Sequence, residues 1–404
     1  MIIHNASHQI EMDVSSKPIN ENRTSSLVSE LRPSRLPVSI LGIAFDPVQM
    51  EEALEVIDQM VRSGNPHYIV TPNVDFVVQA QRDEELHNIL LDAHLVLCDG
   101  MPLVWASRWL GNPIPERVAG ADLVPLLLRQ ASSSGQSVFL LGASPEASAR
   151  AVERLRIDYP QLVLAGSYSP PFKPLDEMDN EFIIEAIQSA KPDILLVSFG
   201  CPKQEKWIAR NYKQLNIPVC IGVGAVIDFL GGSSSRAPGW MGEYGLEWLY
   251  RMCQEPGRLC SRYANDLRRF APAICMQYWR TRIQSRSALA GGSITITHSD
   301  ASYLHARVLG RLDRAAIESD PWTWREIGAN GHNCTLNLCN VDSIDSTGVA
   351  LLIGSRQRLK SSGRSLILEE PSKSVQQTLI LMGLRNFFDI DHKSSAGHAR
   401  LGSA

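Results

Sequence analysis

Short apolar runs alternate with helical stretches over most of the first 285 residues of this 404-residue chain. Between these runs, apolar residues recur at helical spacing, as at Leu54, Ile57 and Val61. The buried strands that the pattern predicts are Tyr68–Val70, Val96–Cys98, Ser137–Leu141, Leu162–Leu164, Ile194–Ser198 and Val219–Val223. Strands that alternate with helices indicate an α/β fold, a doubly wound, Rossmann-like, mostly parallel sheet.

The first elements of the chain can be predicted in more detail. Val38–Ile43 is typical of a strand or a short hairpin. In the segment Asp46-Pro47-Val48-Gln49, the Asp is expected to cap a helix that Gly64 ends. The spacing then predicts a single helix over Val74–Ala93.

The pattern changes twice along the chain, which predicts two domains joined by a short linker. After Gly242, apolar residues mix with arginines, as expected for a basic helical appendage. A Ser/Ala/Gly-rich stretch follows, and the α/β pattern then restarts. The predicted boundaries are 1–35 for a disordered lead-in, 36–285 for the first domain with its appendage at about 242–285, 286–293 for the linker, 294–395 for the second domain and 396–404 for a tail.

Composition excludes several classes of protein. A net charge of −4 argues against a protein that coats nucleic acid, so no nucleic-acid partner is expected. The eight cysteines form no CxxC pair and no Cys/His cluster, so we expect reduced thiols and no metal site. Because no run of 18 apolar residues occurs, any membrane contact is expected to be peripheral.

Polar side chains follow several of the predicted strands at the point where each strand ends. Asp99 ends one strand, Thr71 and Asn73 end another, and Gly200–Glu205 and Gly222–Ala225 follow two more. In an open α/β sheet the ligand crevice lies outside the carboxyl ends of the strands, so these segments are expected to meet there. For Asp99 alone, a role as helix cap or turn former remains the alternative. Gly222-x-Gly224 is not a dinucleotide fingerprint, because Ile227 occupies the third glycine position.

The appendage mixes apolar residues with arginines, among them Arg251, Arg258 and Arg262. Such a mixture on helices suits a surface that meets anionic lipid headgroups. A surface helix packed on the sheet with its arginines in solvent is the alternative.

Seven short motifs in order, within about residues 38–280, resemble the WecG/TagA/CpsF glycosyltransferases (glycosyltransferase family 26). They are Thr71-Pro72-Asn73, Asp99-Gly100-Met101-Pro102, Arg117-Val118-Ala119-Gly120, Gly200–Glu205, Gly222–Ala225, Arg236-Ala237-Pro238 and Glu247–Arg251. The resemblance implies an inverting transferase that moves a sugar from a UDP-sugar to a polyprenyl-diphosphate-linked acceptor, without a metal or other cofactor.

The resemblance also implies roles for individual residues. Asp99 would be the general base. The arginines of the appendage would bind the lipid diphosphate, and Arg251 and Arg258 match the positions of these arginines in the family. A third position that is usually basic is Ser261 here, with Arg262 beside it. The residues expected to line the pocket are Thr71, Asn73, Arg117 and Gln204.

The chemistry agrees with these roles. A single displacement needs one base to take the acceptor proton, which a carboxylate can do. Arg117 and the helix starts after Gly200 and Gly224 suit the charge that develops on UDP. Glu205 is expected either to bind ribose hydroxyls or to be an ordinary acidic residue of a helix's first turn.

The second domain resembles a STAS domain, mainly at Asp345-Ser346-Thr347-Gly348. In members of that family that switch partners, the serine after the Asp is phosphorylated, and Ser346 occupies that place. We therefore expect either a phosphorylation switch at Ser346 that acts through a protein partner or kinase, or a constitutive docking module in which Ser346 is only a helix cap.

Together these features predict a glycosyltransferase of cell-surface polysaccharide synthesis, peripheral on the inner face of the cytoplasmic membrane. The sugar expected is of the N-acetylmannosamine or glucose type. The alternative is a non-catalytic sensor of nucleotide-sugars that signals through the STAS domain. The intact set of Asp99, Thr71, Asn73, Arg117 and Gln204 favours catalysis, because a pure sensor needs no base.

Overall fold

The protein is described from a computed structural model, which describes residues 35–232, 256–283, 291–299, 302–329 and 332–392, with residues 241, 250, 252 and 253 between the first two ranges. The predicted lead-in, apart from Arg35, lies outside the described residues, and so do the tail and most of the linker. Arg251 and the segment 233–240, which contains the Arg236 motif, also lie outside them.

The first domain, by which we mean the described residues up to 283, contains a six-stranded parallel sheet. Its strands are β3 (His67–Val70), β4 (Leu95–Val96), β5 (Ser137–Gly142), β6 (Val163–Tyr168), β7 (Ile194–Ser198) and β8 (Val219–Gly222). They lie in the order β4-β3-β8-β7-β5-β6, with every neighbouring pair parallel. The predicted α/β, doubly wound fold is confirmed.

Helices cover both faces of this sheet. Alternate side chains of a strand point to opposite faces, and because both sets are apolar here, both faces must be covered. In β5, Val138 and Leu140 pack into the core on one face, and Phe139 and Leu141 into the core on the other. The first face carries α1 (Met50–Ser63), α5 (Gly120–Ser134), α6 (Pro145–Asp158) and α9 (Val226–Leu230). The second face carries α2 (Val74–Ala80), α3 (Glu84–Asp92), α4 (Met101–Leu110), α7 (Asn180–Ala190), α8 (Lys203–Leu215) and α10 (Pro256–Tyr278).

The start of α1 differs from the prediction. Gln49, not Asp46, is its N-cap, and the Gln49 N–H donates to Glu52 Oε2 at 2.7 Å. Asp46 is buried and accepts the Val96 N–H at 2.9 Å, so its carboxylate supports β4 instead. Gly64 ends the helix at φ 69°, as predicted.

The single helix predicted over residues 74–93 is wrong, since two helices occupy this range. Asp83 caps α3 by accepting the Leu86 N–H at 3.0 Å. A capping carboxylate competes with helix continuation, which explains the break.

The second domain, residues 291–392 as far as they are described, has a five-stranded sheet. Its strands are β9 (Ser293–Ser299), β10 (Tyr303–Leu312), β11 (Asn333–Ile344), β12 (Leu366–Glu369) and β13 (Asp389–Asp391), in the order β13-β12-β11-β10-β9. Among the four strand pairs described for this sheet, only β9–β10 is antiparallel. Its described helices are α11 (Arg314–Ser319), α12 (Pro321–Ala329), α13 (Ser346–Ser361) and α14 (Lys373–Leu381).

Ser346 is not a helix cap, which corrects the alternative reading of the sequence. Asp345 caps α13, accepting the N–H groups of Thr347 and Gly348 at 2.8 Å each. Burial raises the pKa of Asp345 to about 6. Ser346 is therefore the first residue of the helix, and its side chain is fully buried.

A two-stranded hairpin, β1 (Val38–Ile40) and β2 (Ile43–Phe45), precedes the large sheet and confirms the predicted hairpin. Its turn, Leu41-Gly42, has φ of 48° and 86°, the left-handed pair that suits the twist of a hairpin. Helix α13 of the second domain packs on this hairpin. None of the helices within the described ranges is long and apolar enough to cross a membrane.

Candidate active site

The polar segments identified at the strand ends do lie together. They follow β4, β3, β8 and β7, which are neighbours in the sheet. Backbone hydrogen bonds join them, from the Asp99 N–H to Pro72 O at 3.1 Å and from the Val118 N–H to Cys98 O at 2.9 Å. The result is a polar crevice at the carboxyl edge of the sheet, where ligands of doubly wound sheets bind.

Asp99 and Arg117 form the charged centre of this crevice. Arg117 Nη1 lies 3.9 Å from Asp99 Oδ1, and Arg117 Nη2 lies 2.6 Å from Asp122 Oδ2. The arginine side chain is largely buried, whereas that of Asp99 is 29% exposed. The N-cap of α4 is Gly100, so Asp99 does not occupy the capping position of that helix. A half-open carboxylate beside a fixed guanidinium suits a base that must meet a substrate hydroxyl next to a developing phosphate charge.

Thr71 and Asn73 flank this centre through the Pro72 carbonyl, which accepts the Asp99 N–H. Thr71 is buried. Asn73 is the N-cap of α2, and its Oδ1 accepts the Phe76 N–H at 3.2 Å. The side-chain oxygen of Asn73 is thus occupied by the helix cap. Its side-chain nitrogen, Nδ2, is the group through which Asn73 would contact a ligand.

Gln204 joins two of the loops rather than presenting its amide to a ligand. Its Oε1 accepts the N–H groups of Gly200 at 3.2 Å and Gly224 at 3.0 Å, and its Nε2 donates to Glu205 Oε1 at 2.7 Å. Gln204 and Glu205 are both almost fully buried. We therefore assign Gln204 a positioning role, in place of the expected contact with the sugar.

Gly222 makes this arrangement possible, a role that its place in the Gly222–Ala225 motif did not indicate. A Cβ at this position would lie 2.7 Å from Gln204 Nε2 and 2.9 Å from Glu205 Oε1. Only glycine lets the end of β8 approach the two side chains so closely.

Glu205 is a buried acid with an unusual pKa. Burial raises it to about 7, against hydrogen bonds from Gln204 and the Cys201 thiol, which lower it. Its Oε2 has no hydrogen-bond partner among the described residues. A buried carboxylate without a cation is costly, so Glu205 holds its proton well above the usual range.

This pKa gives a testable pH dependence. Between pH 4.5 and about 7 the folded state holds the Glu205 proton that the unfolded chain has lost, so stability falls as pH rises through this window. Glu205→Gln removes that loss. The free energy of unfolding of the variant, relative to that of wild type, is therefore expected to rise by up to roughly 3 kcal/mol from pH 4.5 to pH 8. Urea unfolding at both pH values measures it, with the exposed Glu181→Gln as control. Parallel pH dependence of wild type and Glu205→Gln would contradict the assignment.

Helix α10 brings further charged groups to the edge of the crevice. Arg262 pairs with Asp75, two residues after Asn73, at 2.5 Å. Asp266 is buried on the same helix, and burial with the nearby Asp75 charge raises its pKa to about 6. Sequence reasoning named Arg262 but missed Asp75 and Asp266, because only the packing of α10 on α2 brings them together. Arg258 belongs to α10, but its side chain lies outside the described part.

Within the described ranges, no group of three or more His, Cys, Asp or Glu side chains could hold a metal ion. The expectation of metal-free chemistry stays a prediction.

Two family models match the chain, one in each domain. Residues 38–284 match the model of the glycosyl transferase WecG/TagA/CpsF family, and residues 294–396 match the STAS domain model. An N-acetylglucosaminyldiphosphoundecaprenol N-acetyl-beta-D-mannosaminyltransferase of Staphylococcus aureus (strain MRSA252) is 32% identical over 224 residues, covering 55% of this chain and 86% of that protein. The protein of the same name from strain MW2 is 31% identical over 232 residues, covering 57% and 89%.

Among solved structures, the anti-sigma factor antagonist SpoIIAA in its unphosphorylated form matches with 21% identity and a TM-score of 0.22. The match covers 25% of this chain and 89% of that one.

Proposed function

Because the chain belongs to the WecG/TagA/CpsF glycosyltransferase family and carries a STAS domain, we propose that it transfers a sugar from a UDP-sugar to a polyprenyl-diphosphate-linked acceptor. The names of the S. aureus relatives support an acceptor that ends in N-acetylglucosamine and an N-acetylmannosamine-type donor, with a glucose-type donor as the other expectation. The observation that carries the proposal is the placement of Asp99 and Arg117, 3.9 Å apart at the carboxyl edge of the sheet.

The proposed reaction is a single displacement at the anomeric carbon. Asp99 removes the proton from the acceptor hydroxyl as its oxygen attacks, and the bond from the sugar to UDP breaks on the opposite side. Arg117 stabilises the negative charge that develops on the diphosphate, helped by the positive N-terminal end of the α8 helix dipole. Asp122 holds the guanidinium in place.

Thr71 and the Asn73 amide nitrogen are neutral groups suited to sugar hydroxyls, and Gln204 keeps the loops at residues 200 and 224 at a fixed distance. Glu205, buried and joined to Gln204, supports that loop, so we favour this role over contact with ribose. No step of the proposal requires a metal.

A panel of UDP-sugars incubated with polyprenyl-diphosphate-N-acetylglucosamine tests the proposal. We expect one donor to give a lipid-linked disaccharide, detected by mass spectrometry, at a rate that EDTA leaves unchanged. Binding of a UDP-sugar without transfer to any lipid acceptor would favour the alternative, a sensor that signals through the STAS domain. Loss of transfer in EDTA, restored by a divalent cation, would overturn the metal-free mechanism.

A peripheral membrane position, on the inner face of the cytoplasmic membrane, follows from the proposed acceptor, and an exposed stripe on α10 supports it. Residues three or four apart on one side of this helix are exposed and mostly apolar. They are Ala264, Arg268, Pro272, Cys275, Met276 and, in the π-helical turn that follows α10, Trp279. Arg269 follows Arg268 of the stripe, and burial together with the charges of Arg82 and Arg268 lowers the pKa of Arg269. Apolar side chains next to clustered arginines suit an anionic bilayer surface.

Neutralising two of these arginines is expected to weaken membrane binding. Each basic residue near an anionic surface contributes about 1 kcal/mol, so Arg268→Gln with Arg269→Gln should lower partition onto phosphatidylglycerol vesicles by about 30-fold. Co-sedimentation measures the partition. The control is Arg129→Gln with Arg156→Gln, which removes the same charge from α5 and α6 on the other face of the sheet. Equal losses in both pairs would assign the effect to net charge alone.

A further inference from the structure

Gln277, near the end of α10, connects three parts of the molecule. It is fully buried. Its Oε1 accepts the Leu41 N–H at 2.8 Å, and its Nε2 donates to Ser39 O at 2.7 Å and to Ser346 Oγ at 2.9 Å. One side chain therefore joins α10, the β1–β2 hairpin and the first residue of α13.

The hairpin itself is seated against the second domain. A Cβ on Gly42 would lie 2.0 Å from the Met382 carbonyl oxygen, so the two backbones are in direct contact. The Ser39 hydroxyl donates to Met382 Sδ at 3.7 Å. Leu91 of α3 packs into the core of the second domain, next to an ion pair between Lys360 and Asp92 at 2.6 Å.

Helix α10 extends from this interface to the edge of the crevice. Its 23 residues contain both Gln277 and the pair Arg262 and Asp266. Arg262 and Gln277 are separated by 15 positions, which correspond to about 22 Å of helix. Phe270 and Ile274, between the two ends, are buried in the core of the first domain. Pro272 removes one backbone hydrogen bond within this stretch, but Phe270 and Ile274 on either side of it are both anchored in the same core. A contact that holds Gln277 therefore also limits where Arg262 and Asp266 can lie.

We propose that the second domain is a built-in partner of the first domain, which docks through the start of α13 onto the hairpin and Gln277 and thereby holds α10 against the crevice. The occupant of this surface is the chain's own first domain rather than a separate protein. The consequence for catalysis rests on the proposed transfer reaction, whereas the effect on the position of α10 does not.

Docking and a charged group on Ser346 exclude each other. The Ser346 hydroxyl is fully buried and accepts a hydrogen bond from Gln277, so the interface has no room for a phosphoryl group with its three oxygens. Two negative charges placed there would also lie beside the Asp345 carboxyl. A kinase could reach Ser346 only in the undocked chain, and a phosphoryl group would keep it undocked.

Hydrogen exchange of the full chain, followed by mass spectrometry, tests the proposal with Ser346→Glu as the charged probe. We expect amides of residues 38–45 and of residues 262–270 to exchange at least about tenfold faster, because local opening follows the loss of buried contacts. Amides of β5 and β7 should keep wild-type protection, which shows that the first domain is still folded. Ser361→Glu, at the exposed end of the same helix, is the matched control and should behave as wild type.

Faster exchange at the hairpin with unchanged exchange at 262–270 would overturn the coupling, and unchanged exchange in both would overturn the docking.

Since a buried glutamate can unfold the second domain, Gly42→Ala tests the same interface from the first domain. Its control is Gly64→Ala, which has a similar positive φ but no atom of the described residues within 4 Å of the added methyl group. Only Gly42→Ala is expected to raise exchange at 262–270. A wild type without transferase activity would refute the proposed function and leave these exchange results valid.

Discussion

Replacement of Asp99 by asparagine is expected to lower kcat for sugar transfer by about 10²–10⁴-fold, the usual contribution of a general base. Asparagine keeps the shape of the side chain but cannot take a proton from the acceptor hydroxyl. The Kd for the UDP-sugar should stay within a few-fold of wild type, because Arg117 remains held by Asp122 at 2.6 Å. Steady-state kinetics with the lipid acceptor and calorimetric titration of the donor measure the two quantities.

A carboxylate elsewhere provides the control for this substitution. Asp158→Asn changes an exposed acid at the C-terminal end of α6, outside the crevice, and should leave kcat unchanged. Near-normal kcat in Asp99→Asn would remove Asp99 from the role of base.

The second large effect is expected at Arg117. Arg117→Gln removes the cation that lies 3.9 Å from Asp99, and kcat should fall about 10²–10³-fold, as when one stabilising donor is removed from a transition state. Unlike Asp99→Asn, this variant should also bind UDP more weakly, since in the proposed mechanism the guanidinium contacts the diphosphate before and during the reaction. Kinetics and UDP titration separate the two variants.

Arg129→Gln removes the same charge from an exposed position of α5 and should keep both parameters. A variant Arg117→Gln with normal kcat and weakened UDP binding would show that the arginine only anchors the donor. Normal values for both parameters would place the diphosphate elsewhere.

Much of the fold could be predicted because the strands of a covered parallel sheet are continuous apolar runs. Ile194–Ser198 and Ser137–Leu141 differ from the observed strands by one residue at most. The position of the crevice followed from the same pattern, since polar residues directly after such runs must lie at one edge. The placement of Asp99 beside Thr71 and Asn73 is an instance of this rule.

Contacts between distant residues could not be predicted in this way. Gln204 was expected to face a ligand, but its amide is used by Gly200 and Gly224. This depends on the approach of the end of β8, which no local pattern encodes. The role of Gln277 could not be predicted from the sequence either, because its three partners lie in the hairpin and in the second domain.

The errors at helix boundaries come from two acids whose roles the local sequence does not distinguish. Asp46 and Asp83 are both acids before an apolar pattern, and each is a good candidate for an N-cap. Asp83 caps α3 and breaks the helix expected there, whereas Asp46 is turned toward the β4 backbone. Competition between a cap and a tertiary hydrogen bond is decided by the fold, not by the segment.

The anomeric configuration of the product tests the central claim most directly, since a single base at Asp99 implies a single displacement. NMR of the disaccharide formed from an α-linked UDP-sugar should show a β-linkage, through the one-bond coupling at the new anomeric carbon. An α-linked product would mean retention, which a single in-line displacement cannot give, and would contradict the assignment of Asp99 as the base of an inverting transfer.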